Sequence, residues 1–190
     1  QAGGHTLDII IENHAFTDTN TAIQLARALE DFQIYYMEEP VHPLNSRSMR
    51  EIRDNVNIPL AAGERIFTRW GYRPFLEDRS LQVIQPDFCL VGGITEGKKV
   101  ADLANLYDCM VQGHCCGGPI STAAAMQIET AIPNFAIHEL HSGALKAHIR
   151  GLCKYDHMPE DGYYRVPEAP GIGQELSEEA MSKADHYLVC

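Results

Sequence analysis

Basic residues are scarce in this chain. Lys and Arg total 15 against 26 Asp and Glu, a formal net charge of −11. Phosphate backbones are held by surplus Lys and Arg, so no nucleic-acid partner is expected. A small acidic substrate is not excluded, because a bound cation reverses the field of a site whatever the net charge. Long apolar runs are missing too. No run reaches the length that a membrane span needs, and no membrane partner is expected. The first residues, Gln1-Ala2-Gly3-Gly4-His5, show no basic stretch followed by an apolar one and no initiator Met. They do not read as a signal peptide, and the chain reads as processed or as part of a longer one. There are six cysteines but no CxxC pair, since Cys115 and Cys116 are adjacent. That density is low for a disulfide scaffold, so the thiols read as reduced and the location as cytoplasmic. Neither GxGxxG nor GxxxxGK[ST] follows any apolar run, which weighs against a phosphate-cradling loop.

What is present is an alternation of short apolar runs with longer amphipathic ones. Strands are expected at Thr6–Glu12, Ile34–Met37, Pro59–Ala62, Gln82–Gln85, Cys109–Gln112 and Asn134–His138. The first reads as buried, because Ile9-Ile10-Ile11 is continuous and β-branched. Helices are expected at Asp18–Asp31, Ser46–Asn55, Arg69–Glu77, Thr95–Tyr107 and Ile120–Ala131, with Leu140–Arg150 partly helical. Ala22, Leu25, Ala26 and Leu29 share one face of the first. Six βα units at spacings of roughly 25 residues argue for an α/β fold with a parallel sheet and right-handed crossovers. The two closed solutions are a doubly wound sheet and a (β/α)8 TIM-type barrel. Residues 1–155 read as the catalytic barrel part and 156–190 as a C-terminal tail. A last helix is expected near Ser177–Ala184, with Ser177 as N-cap and acids in its first turn.

Polar residues cluster where the strands end: Glu12-Asn13-His14, Glu38-Glu39-Pro40, Gly63-Glu64-Arg65, Gln85-Pro86-Asp87, Gln112-Gly113-His114 and His138-Glu139. A single acid after a strand is usually a cap or loop residue, and Asp18 and Asp54 read that way. Six sites in consecutive register are different. In a barrel, the C-terminal strand ends all face one mouth. Three buried carboxylates are costly together unless a cation neutralises them. Oxygen donors without thiolate favour a hard ion such as Mg²⁺.

The ordered set Met37-Glu38-Glu39-Pro40, Ala62-Gly63-Glu64-Arg65, Gln85-Pro86-Asp87, the later His114 and the final His138-Glu139 resembles the enolase superfamily. Within it, the set is similar to the mandelate racemase/muconate lactonizing enzyme family. Residues 162–175 resemble that family's tail. The segment Gly63–Asp78 and His14, two residues after Glu12, are similar to galactonate dehydratase-like acid-sugar dehydratases. The resemblance implies a (β/α)8 barrel of which this chain carries strands 3 to 8. The first two strands and an N-terminal capping domain would precede Gln1.

The resemblance also implies roles. Glu12, Glu38 and Glu64 would hold one Mg²⁺, with Glu12 either a direct ligand or a residue just behind it, because Asp is usual there. Mg²⁺ would stabilise an enediolate formed when the C2 proton of an acid sugar leaves. His114 would be the base, Asp87 would orient its imidazole, and His14 would protonate the departing 3-hydroxyl. Glu139 would face the substrate carboxylate, and the product would be a 2-keto-3-deoxy acid. Arg65, His42 and Arg69 are candidates for substrate contact. Glu39 is a candidate either for that or for supporting the site. His138 is expected to be a satisfied strand-end histidine, and Trp70 and Phe75 to be core or lid packing. The full-length protein would be a homo-oligomer. The competing readings are a racemase or epimerase of a 2-hydroxy acid and a non-catalytic fragment.

Overall fold

A computed structural model describes residues 7–185 and 187. Thr6, expected to open the first strand, and Cys190, expected to close the tail, lie outside the described residues. The element order is β1 (Ile10–Glu12), α1 (Thr19–Leu29), β2 (Tyr36–Glu38), α2 (Ser46–Arg53), β3 (Leu60–Ala62), α3 (Thr68–Glu77), β4 (Val83–Ile84), α4 (Gly93–Leu106), β5 (Met110–Val111), α5 (Pro119–Thr130), α6 (Ala147–Arg150) and α7 (Glu178–Lys183). All strand pairs are parallel, in the order β1-β2-β3-β4-β5. A helix therefore lies between each strand and the next, as the alternating periodicity requires.

Local chemistry accounts for several boundaries. Asp18 caps α1, accepting the Thr21 N–H at 3.0 Å and the Thr21 hydroxyl at 2.9 Å. Asn45 accepts the Ser48 N–H at the start of α2, and Ser177 accepts the Ala180 N–H at the start of α7. Each satisfies an orphan donor of the first turn. Ala22 and Ala26, one turn apart on α1, are fully buried. Alternation along the strands then divides the core. Met37, Leu60, Ala62 and Ile84 join the main cluster with the helices, whereas Tyr36, Ala61 and Val83 form a separate small one.

Two expectations need correction. The run Ile9-Ile10-Ile11 is not a buried strand. Only its last two residues are in β1, and Ile9 and Ile10 are each 40% exposed. The cause is position: among the described residues β1 pairs with β2 alone, on one side. The sixth strand, expected at Asn134–His138, is reduced to one parallel bridge, Val111↔Phe135. Its backbone still joins β5, through Val111 N–H to Asn134 O and Ala136 N–H to Val111 O, both at 2.8 Å. Among the described residues, no pairing joins this segment to β1. The helices match the expected spans to within a few residues. Phe75 is buried, but Trp70 is 68% exposed and packs under Arg69, whose guanidinium lies 5.7 Å from the ring centroid.

Candidate active site

Register builds the site. Glu12 and Glu38 are opposed partners at the ends of β1 and β2. Their carboxyl groups therefore approach each other, with the Glu139 charge nearby. Glu38 is buried, and its carboxyl is pushed up to about 8, first by burial and then by Glu12 and Glu139, against a hydrogen bond from Gln85. One strand on, Glu64 follows Gly63 at the end of β3. Its carboxyl is also held above the usual range, first by burial and then by the Glu39 charge.

Gly63 is needed where it stands. A Cβ there would lie 2.5–2.7 Å from the backbone N, C and O of Gln85. The Gly63 carbonyl also accepts the buried Tyr72 hydroxyl at 2.7 Å and the Ile66 N–H at 2.9 Å. Those contacts hold the turn that delivers Glu64.

The two histidines meet on one carboxylate. His114 Nε2 lies 3.2 Å from Glu64 Oε2, and His14 Nδ1 lies 3.9 Å from Glu64 Oε1. A parallel bridge joins Asp87 to His114, and the His114 Nδ1 is 2.8 Å from Asp87 Oδ2. Asp87 is itself fixed by the Cys89 and Leu90 N–H groups at 2.8 and 3.2 Å. Burial works to lower the His114 pKa, but the Asp87 hydrogen bond and then Glu139 and Glu64 outweigh it, so the imidazole is held up at about 9. Asp87 shows the converse. Burial works to raise it, yet His114 and the backbone donors hold it below the usual range. His14 is half exposed, and its backbone N–H is donated to the Glu12 carboxylate. His14 and Ala15 take φ of 47° and 58°, a left-handed pair that turns the chain back over the strand end.

The structure also places the remaining expected residues. Glu39 is fully buried with φ 41°, and both of its carboxylate oxygens accept from Arg65. Arg65 Nε is also 3.7 Å from Glu64. Glu139 accepts the Cys115 N–H at 2.7 Å, which fixes its carboxylate at the rim of the same mouth. His42 is exposed and accepts the Leu44 N–H at 3.3 Å; among the described residues, no hydrogen bond or ion pair joins it to the glutamates. Arg69 pairs with Glu96 at 3.3 Å instead of reaching the cluster.

The tightest donor sets are Glu12, His14 and Glu39, and separately His114, Cys116 and Glu139; within each set the donor atoms lie within 4.8 Å of one another. The expected triad Glu12, Glu38 and Glu64 is not one of these sets among the described residues; Glu38 adjoins Glu12, and Glu64 adjoins His114. The donor chemistry around Glu12, Glu38 and Glu64 suits a hard divalent cation. The groups are oxygen acids, and burial together with the Glu12 and Glu139 charges disfavours ionised Glu38, a cost that a bound cation would offset.

His138 departs from expectation, because it is not a fully satisfied histidine. Its Nδ1 is 2.6 Å from Glu129 Oε2, but among the described residues its Nε2 and Glu129 Oε1 are buried without hydrogen-bond partners. Burial works to lower the His138 imidazole, and the nearby Cys115 sulfur and Glu129 carboxylate hold it up at about 9. In the sequence, Glu129 is marked only as the single acid in the Ala-rich stretch of α5.

Comparison with known proteins places the chain in a family. Residues 1–180 match the family model described as enolase C-terminal domain-like. The chain is 34% identical over 181 residues to a D-xylonate dehydratase of Haloferax volcanii, covering 95% of this chain and 44% of that protein. It is 34% identical over 184 residues to a D-galactonate dehydratase of Ralstonia nicotianae, covering 93% and 48%. The chain thus spans about half the length of the curated relatives that it matches. A crystal structure of a member of the enolase superfamily from Salmonella Typhimurium superimposes with a TM-score of 0.94 at 62% identity, covering 96% of this chain and 46% of that one. A mandelate racemase/muconate lactonizing enzyme-like protein from Rubrobacter xylanophilus does so with a TM-score of 0.88 at 32% identity, covering 96% and 47%. With its parallel βα order, its strand-end acids and a family match along nearly its whole length, this chain belongs to the enolase C-terminal domain-like family and carries part of that family's TIM barrel.

Proposed function

We propose that this chain carries the proton-handling part of an acid-sugar dehydratase, which removes water from a 2,3-dihydroxy acid to leave a 2-keto-3-deoxy acid. The observation that carries this reading is the pair of imidazoles, His14 and His114, on the two oxygens of Glu64. Curated relatives named D-xylonate and D-galactonate dehydratases support it.

Glu12, Glu38 and Glu64 would hold Mg²⁺. When bound, the ion would supply a Lewis acid for the substrate carboxylate and offset the negative charge of these acids. A Lys or His base beside Mg²⁺ is the arrangement common to enolase-superfamily sites. His114 acts in its neutral form, which a cation held beside Glu64 would favour by offsetting the acid charges that hold its pKa up: Nε2 takes the C2 proton, and the electron pair moves toward the substrate carboxylate. Asp87 keeps the other nitrogen protonated, which fixes the tautomer and points Nε2 at the mouth. His14 gives a proton to the 3-hydroxyl, which leaves as water. The resulting enol takes up a proton at C3 and becomes the keto acid. Glu139 and Arg65 line the rim, where a substrate carboxylate and hydroxyls find an acceptor and a donor.

The test separates the histidines with a panel of acid sugars, Mg²⁺ and deuterated water. His114→Asn abolishes both dehydration and C2 exchange, a loss on the order of 10²-fold or more. His14→Asn blocks dehydration and retains slow C2 exchange. The reverse pattern swaps the roles. Activity kept in both variants rejects the mechanism, and accumulation of the C2 epimer moves the protein to the racemase class.

A further inference from the structure

The side chain of Cys116 has no part in the proposed reaction, yet its sulfur lies within 4.8 Å of donor atoms of both His114 and Glu139. Both neighbours are oriented from behind. His114 Nδ1 is engaged by Asp87 at 2.8 Å, and its Nε2 lies on the mouth side, 3.2 Å from Glu64 Oε2. Glu139 Oε2 accepts the Cys115 N–H at 2.7 Å, which leaves Oε1. Cys116 itself is exposed, and among the described residues no disulfide engages it. A carboxylate behind a histidine is the usual support of a ligating imidazole. A sulfur, an imidazole nitrogen and a carboxylate oxygen, with one side open to solvent, are the donors of a tetrahedral zinc site that keeps a place for water.

We propose that His114, Cys116 and Glu139 form a second metal site in the mouth, selective for a thiophilic divalent ion such as Zn²⁺ and adjoining, through Glu64, the oxygen donors Glu12, Glu38 and Glu64 proposed for Mg²⁺. The two sites differ in ligand softness. Mg²⁺ has little affinity for sulfur, so the thiolate is what discriminates. An ion bound here takes the lone pair of His114 Nε2. The bound state therefore cannot accept a proton at that atom, and Zn²⁺ acts as an inhibitor.

Metal binding is read directly, so the test stands whether or not the dehydratase reading holds. The intact protein is saturated with Mg²⁺ to fill the oxygen cluster and is then titrated with Co²⁺ or Zn²⁺. Co²⁺ is expected to give a near-ultraviolet thiolate-to-cobalt charge-transfer band. Zn²⁺ is expected to bind once per chain. Cys116→Ser and Cys116→Ala remove the band and weaken Zn²⁺ by about tenfold or more, and Asp87→Asn weakens it by about 10- to 100-fold through the imidazole. Because Cys116 is exposed, both cysteine variants should keep the parent's circular dichroism. Absence of the band in the parent overturns the proposal. So does Zn²⁺ binding equally tight in both cysteine variants, or binding fully displaced by Mg²⁺, since the ion would then sit on the glutamates.

Discussion

Replacing Arg65 by Met tests how the mouth is held together. Glu39 is fully buried, and its carboxylate accepts from Arg65 through both oxygens, one of them at 3.1 Å. Removing the guanidinium leaves a buried anion without its cation. Losing one partner of a buried pair costs about 3–5 kcal/mol. The Arg65 side chain is 38% exposed. Water enters the vacated space, so the expected cost is near the lower end, about 3 kcal/mol. That is roughly a hundredfold in the ratio of folded to unfolded protein, at about 1.4 kcal/mol per tenfold. The assay is urea unfolding of the parent, Arg65→Met, Glu39→Met and the double variant. The double variant should recover at least about 1 kcal/mol relative to the sum of the singles, because it removes the stranded charge along with its partner. The reasoning fails if Arg65→Met stays within about 0.5 kcal/mol of the parent. Strict additivity of the two singles would also defeat it, since Glu39 would then draw its compensation from elsewhere in the cluster.

Gly63→Ala should destabilise the chain by about 1–3 kcal/mol or more, because its Cβ would meet the Gln85 backbone, and dehydration should fall with it as Glu64 shifts. Stability and turnover unchanged in that variant would mean that the β3–β4 contact is looser than it stands here. Asp18 gives a pH test. Its carboxyl is held below the ordinary value of 3.8, first by the Thr21 N–H and then by the Thr21 hydroxyl. The stabilising charge is therefore fully present above that value and lost as pH falls through the lower folded value. The difference in urea midpoint between the parent and Asp18→Asn should shrink as pH is taken below that window. A difference constant across it would remove the charge from the cap's contribution. Asp18→Ala should lower the midpoint at neutral pH as well, because no side-chain acceptor remains.

Much of this protein is written locally. The βα alternation, the caps Asp18 and Ser177 and the strand-end acids Glu12, Glu38 and Glu64 all follow from short-range rules of periodicity, first-turn hydrogen bonding and turn placement. Those rules act within a few residues, so they can be read along the chain. The ordered strand-end motifs also sufficed to point to the family, because each motif occupies a place that the parallel order dictates. Other features depend on partners distant in sequence. Ile9 and Ile10 have a core strand's composition but sit at the edge of the described sheet, where β1 pairs on one side only. Asn134–His138 has a strand's pattern but keeps a single bridge. Glu39 is neutralised by Arg65, 26 residues away. Glu129 pairs with His138 across a turn of backbone that hydropathy does not reveal. Glu139 comes beside His114 and Cys116 only because its segment runs parallel to β5 and joins it at the Val111↔Phe135 bridge. Burial and charge pairing are properties of the assembled sheet, since each needs groups that the chain brings together only after it has crossed over; that is why they were decided by tertiary structure.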